Sequence, residues 1–200
     1  MEFGLQLQTF TIDGRSVSIF IPDEKEVKQL YKEGKIAFPY WSQVWPSAIA
    51  LSQFISKHPD LVINKKIIEL AAGLGLPSMI ASFHALKVIC SDQDEHAVAI
   101  MEKTIQQLGL KNCSTEILDW NDLPENLEAD VVLLSDINYN PDSFPALKKL
   151  VHTLIQKNIT IILATPQRLM AKEFVEEIIP FAKTKEDIVI NDKRISVFVI

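Results

Sequence analysis

Two glycines, Gly73 and Gly75, close the segment Glu69-Leu-Ala-Ala-Gly-Leu-Gly-Leu76, directly after the apolar run KIIEL. Glycines in a strand-to-helix turn let the backbone approach a ligand, and the following helix offers its free N–H groups. Asp92 ends the next apolar run, KVICSD, where a carboxylate can take both ribose hydroxyls of a nucleoside lying across a sheet. That acid suits more than one cofactor class, and a tight turn without a ligand is the plain alternative. A dinucleotide fingerprint would carry a third glycine at position 78; Ser78 stands there, preceded by Pro77, so the dehydrogenase pattern fails at its last glycine. His58, His84, His96 and His152 lack metal-ligand spacing, and there is no G-x-S-x-G, phosphate-binding P-loop or H-E-x-x-H. Cys90 and Cys113 fall in adjacent apolar runs and read as small buried side chains.

These residues need a scaffold, and the pattern supplies one. Residues 5–12 and 15–21 alternate about Asp13-Gly14, a two-residue hairpin signal. A charged helix between Pro22 and Gly34 follows, then the aromatic stretch FPYWSQVWP and a helix from Ser47 to about Lys57. Beyond Pro59, strands at 66–70, 87–90, 114–118, 130–134 and 159–164 alternate with helices at 77–85, 95–108, 141–154 and 167–181. Strands at 187–190 and 195–200 close the chain about Asn191-Asp192. Short, wholly apolar strands between helices indicate a parallel sheet covered on both faces. The expectation is an α/β, doubly wound, Rossmann-like seven-stranded sheet, mostly parallel with an antiparallel C-terminal hairpin strand, plus an N-terminal β-hairpin extension. One domain should span 1–200, with the extension over 1–37 and a cofactor-binding core over 38–200.

Composition narrows the function classes. The chain has 200 residues, 48% of them hydrophobic, enough for a core without disulfides or metal. Lys plus Arg number 20 against 26 Asp plus Glu, a net charge of -6, which argues against a nucleic-acid backbone binder. The apolar runs are strand-sized, too short to span a membrane, and the N-terminal residues lack a signal-peptide pattern. A cytoplasmic protein is expected.

Four further motifs, in order, are Trp45-Pro46, the Glu69–Pro77 segment, Leu118-Asp119-Trp120 and Asp136-Ile-Asn-Tyr139. Together they resemble the seven-strand S-adenosylmethionine-dependent methyltransferases, in particular the protein-lysine methyltransferase subgroup, over roughly residues 38 to 170. The stretch Pro39–Pro46 is similar to the branch acting on the electron-transfer flavoprotein β subunit. Ala71 departs from the pattern, standing where the family has its first glycine. The resemblance implies S-adenosylmethionine as cofactor and a lysine of a protein substrate as acceptor. It implies cofactor binding by Trp45, Glu69, Gly73, Gly75, Asp92, Gln93, Asp119, Trp120 and Ser135. It implies that Asp136 attracts and orients the acceptor amine, with Tyr139 as an aromatic wall. Trp41 and Trp45 would otherwise be core aromatics, and Asp136 or Asn140 a helix cap; Arg168, after the strand at 159–164, would reach the site rim or lie at the surface. A small-molecule amine acceptor, or a non-catalytic binding module, are the competing functions.

Overall fold

Asp13 and Gly14 both take left-handed backbone angles, φ 48° and 78°, as the tightest hairpin turn requires. In the computed structural model, which describes residues 3–200, they join β1 (Leu5–Ile12) to β2 (Arg15–Pro22) as an antiparallel pair. Asp23 then caps α1 (Glu24–Lys32), its Oδ1 accepting the N–H groups of Lys25 and Glu26 at 2.9 and 3.1 Å. Pro46, preset for a first helical turn, opens α2 (Pro46–Lys57).

The alternating part of the chain follows as β3 (Lys66–Leu70), α3 (Leu76–Ala81), β4 (Lys87–Asp92), α4 (Glu95–Leu108) and β5 (Cys113–Ile117). After it come β6 (Val131–Ser135), α5 (Phe144–Gln156), β7 (Thr160–Pro166), α6 (Lys172–Ile178), β8 (Thr184–Ile190) and β9 (Lys193–Val199). Three helices depart from the pattern reading by more than a residue. The one expected over 141–154 opens with a 3-10 turn at Pro141–Ser143, after which α5 runs to Gln156. The one expected over 77–85 stops at Ala81, where the Ser82 hydroxyl donates back to the Met79 carbonyl at 2.7 Å. The one expected over 167–181 is broken: 3-10 turns at Leu169–Ala171 and Ile179–Phe181 flank α6, and at the second Pro180 cannot continue the α-helix.

The seven-stranded sheet runs β5-β4-β3-β6-β7-β9-β8. The first five are parallel, and β9 lies antiparallel between β7 and β8. Alternation within a strand divides the core. Val131 and Leu133 of β6 belong to the cluster under α2, α3, α4 and the hairpin; Val132 and Leu134 belong to the one under α5 and α6. All four are buried, each side chain stabilising the fold by about 1.5–3 kcal/mol. The hairpin inserts Val17 and Ile19 into the first cluster, and the Phe20 N–H donates to the buried Thr104 hydroxyl of α4 at 3.1 Å.

β3 pairs with β4 on one side and with β6 on the other. The strand order therefore reverses at β3, which opens a crevice beyond the carboxyl ends of these strands. The Gly73–Gly75 turn, Asp92 and Asp136 all leave the sheet at that end.

Candidate active site

A cavity of about 390 Å³ occupies the crevice. That lies within the roughly 300–1,000 Å³ range of small-molecule sites. Its floor is the turn after β3, and its geometry is tight. Gly73 takes φ 58°, which strains any residue with a side chain, and a Cβ there would just touch the Trp41 carbonyl oxygen at 3.4 Å. Gly75 (φ 72°) faces α4, and a Cβ would meet the Met101 sulfur at 2.8 Å. The first glycine thus admits the aromatic segment, and the second lets helix and sheet close together. Ala71 takes φ 51° at the position where the family pattern has glycine, so the turn holds a strained residue.

Glu69 lies beneath this floor rather than in the cavity. Its Oε2 accepts the N–H and hydroxyl of Ser78 at 2.9 and 2.6 Å, and Oε1 has no partner among the described residues. Burial drives its carboxyl up to about 8, opposed by the Ser78 hydrogen bonds and aided by the charge of Asp92. Glu69 therefore supports the turn. Asp92 ends β4 and does line the cavity. Its Oδ2 accepts from Gly73 N–H at 2.9 Å and its Oδ1 from Asp94 N–H at 3.0 Å, which fixes the carboxylate and leaves lone pairs for a ligand. Burial pushes its pKa above the ordinary carboxylate range, with the two N–H groups opposing.

Gln93, exposed beside Asp92, also lines the cavity, as do Trp45 and Trp120. Asp119 does not: it is exposed, and its Oδ1 holds the backbone and side-chain nitrogens of Asn121, each at 2.8 Å. Trp45 Nε1 donates to the Tyr40 carbonyl at 2.7 Å, which ties the aromatic stretch across the opening. Trp41 is buried and stacks on His96 at 5.8 Å between ring centres while still lining the cavity. It serves core and cavity together.

Ser135, Asp136 and Tyr139 form the opposite wall. Asp136 takes φ 58°, a left-handed conformation unusual for a residue with a side chain, and its carboxylate is buried. Both its oxygens are held by Arg168, Nη2 to Oδ2 at 3.0 Å and Nη1 to Oδ1. Burial raises the Asp136 pKa, and the guanidinium together with Lys193 opposes the rise. Helix capping is the work of Asn140, whose Oδ1 accepts from Asp142 N–H at 3.1 Å. The Tyr139 ring packs on Tyr40 at 4.6 Å, and Phe38 lies 4.4 Å beyond Tyr40. These three rings, 40%, 45% and 53% exposed respectively, make an aromatic rim. Burial raises the Tyr139 hydroxyl pKa.

Two residues at or behind this wall carry more than the sequence pattern assigned to them. Arg168, placed by the pattern at the surface or the site rim, lines the cavity. It leaves the end of β7, the parallel neighbour of β6, so its signal was position beside the Asp136 strand. Asn138 is fully buried, its Oδ1 accepting from the Thr165 hydroxyl at 2.8 Å. It pins the loop that carries Asp136 and Tyr139. No group of three or more His, Cys, Asp or Glu that could hold a metal occurs among the described residues, and none of their helices is long and apolar enough to cross a membrane.

Residues 16–180 match the family described as lysine methyltransferases. Over 125 residues the chain is 30% identical to the mouse (Mus musculus) histone-arginine methyltransferase METTL23, covering 60% of this chain and 49% of that protein. It is 30% identical over 155 residues to the Schizosaccharomyces pombe protein N-terminal and lysine N-methyltransferase efm7, covering 70% of this chain and 60% of that one. It is 26% identical over 162 residues to the Xenopus tropicalis protein N-lysine methyltransferase METTL21A, covering 78% and 74%. The chain spans 49% to 64% of the mammalian METTL23 proteins' length. Among solved structures, the Thermus thermophilus 16S rRNA methyltransferase RsmC, in complex with AdoMet and guanosine, superposes with a TM-score of 0.66 at 13% identity, covering 97% of this chain and 50% of that one. At that identity the likeness is one of fold.

Proposed function

The chain belongs to the lysine methyltransferase family, and on that premise we propose that it transfers methyl groups from S-adenosylmethionine to a lysine side chain of a protein. The observation that carries the reading is one cavity, at the strand-order reversal, with Asp92 on the β4 side and Asp136 with Tyr139 on the β6 side. The donor set fits such a cofactor: a fixed carboxylate for a ribose, indole faces for a purine, and a turn whose two glycines take the left-handed backbone that side chains disfavour. When bound, S-adenosylmethionine supplies an electrophilic methyl group on a sulfonium.

The protein's own contribution is binding, alignment and charge. Asp92 holds the ribose with the lone pairs left free by Gly73 and Asp94. Trp120 and Gln93 flank the base, and Trp45 closes the other side. Ser135, the last residue of β6, would contribute to holding the cofactor from the opposite wall. Tyr139 and Tyr40 wall the acceptor channel, which keeps a long alkyl amine straight and excludes water from its flank. A lysine Nζ, with an ordinary pKa near 10.4, must shed its proton to solvent at the rim before it attacks. The rim itself supports a protein acceptor, because three partly exposed aromatic rings suit a polypeptide surface better than a free small amine.

On this reading residues 1–37 are an extension, its described part from residue 3 packed on a catalytic core of residues 38–200, and the protein acts in the cytoplasm without a nucleic-acid or membrane partner. The test is methyl transfer from isotope-labelled S-adenosylmethionine into a cell lysate, followed by mass spectrometry of the labelled protein. Label on a lysine Nζ is expected; label confined to arginine or to small amines overturns the acceptor assignment.

A further inference from the structure

The two-pronged contact between Arg168 and Asp136 sits inside the cavity wall. A carboxylate left bare there would favour a cation beside it and so hold an acceptor lysine as its unreactive ammonium. A guanidinium bound through both nitrogens instead leaves the wall close to electroneutral and holds the carboxylate in one plane. Arg168 is only partly exposed, its side chain 28% accessible and that of Asp136 9%, so water screens the pair weakly. The other charged or titratable groups bearing on this wall are Lys193, which acts on Asp136, and Tyr40 and Asp92, which act on Tyr139.

We propose that Arg168 is a positioning residue that neutralises and orients Asp136, so that the acceptor side of the cavity does not trap the acceptor amine as an ammonium. Arg168 acts through Asp136 and takes no part in the bond change. The inference rests on the methyltransferase reading, in which the methyl group emerges on the Asp136 side.

The test needs no acceptor. Sinefungin carries an amine where S-adenosylmethionine carries its sulfonium methyl, so it places an ammonium at the acceptor side; S-adenosylhomocysteine carries nothing there. Calorimetric affinities for the two give a ratio that reports the charge preference of that wall. The natural protein should bind the two within about threefold. Arg168→Met should favour sinefungin by at least about tenfold more than the natural protein does. Asp136→Asn combined with Arg168→Met should abolish that gain, and Arg168→Lys should keep most of the natural ratio. Arg168→Gln serves in place of Arg168→Met if the apolar side chain prevents folding. A ratio unchanged within about twofold in a variant that still binds S-adenosylhomocysteine overturns the role of Arg168. Failure of the natural protein to bind S-adenosylhomocysteine at all overturns the methyltransferase reading, and the inference with it.

Discussion

Replacing Glu69 by Gln should change how stability depends on pH. The carboxyl is fully buried under the glycine turn with a pKa near 8, against an ordinary value of 4.5 in an unfolded chain. Between those values the unfolded chain has lost a proton that the folded protein keeps. Stability of the natural protein therefore falls as pH rises through this window, by about 1.4 kcal/mol per pH unit and by at most about 5 kcal/mol across it. Glutamine has the same shape, stays neutral, and can accept both Ser78 hydrogen bonds through its one oxygen. The variant should lose this component of the slope while Asp136 contributes equally to both proteins. Urea denaturation at several values from about pH 5 to about pH 8 measures it. The variant should be no more stable than the natural protein at the acid end and gain about 1 kcal/mol or more per unit above it. A constant difference between the two proteins across that range would refute a neutral Glu69.

Three other substitutions read the same turn. Ala71→Gly relieves a left-handed alanine and should raise stability by about 0.5–1 kcal/mol after the added chain entropy, seen as a rise in Tm; a lower Tm would mean that the strain is absent. Gly75→Ala forces a side chain at φ 72° against the Met101 sulfur and should cost about 1–3 kcal/mol in denaturant unfolding. Asp92→Asn leaves one acceptor oxygen where two serve Gly73 and Asp94, so S-adenosylhomocysteine should bind about 10–100-fold more weakly by calorimetry. Undiminished affinity in that variant would remove Asp92 from the ribose.

Much of this architecture is written in local pattern. Asp13-Gly14 and Gly109 mark a turn and a helix stop, and the structure has each at that place, while the helix expected from Ser47 starts one residue earlier at Pro46. The helix over 95–108 has the bounds its periodicity predicts, because Asp94 and Gly109 cap it and one apolar face repeats along it. The helix over 167–181 was less legible, since its apolar residues continue through Pro180 while its backbone does not. Glu69 and Asp119 look alike as motif acids, yet one is buried under the turn and the other is bound to Asn121 in the exposed loop. Both lie outside the cavity that receives Asp92.

The sequence by itself determined the alternation of strands and helices, the glycine turn, and the order of the motif residues, because these depend on neighbours a few positions away. Which charges meet was decided by tertiary structure alone. Asp136 and Arg168 are 32 residues apart, and they pair because β6 and β7 are parallel neighbours whose ends deliver both side chains to one wall. Coulomb energy depends on distance through space and on burial, and neither can be read along a chain.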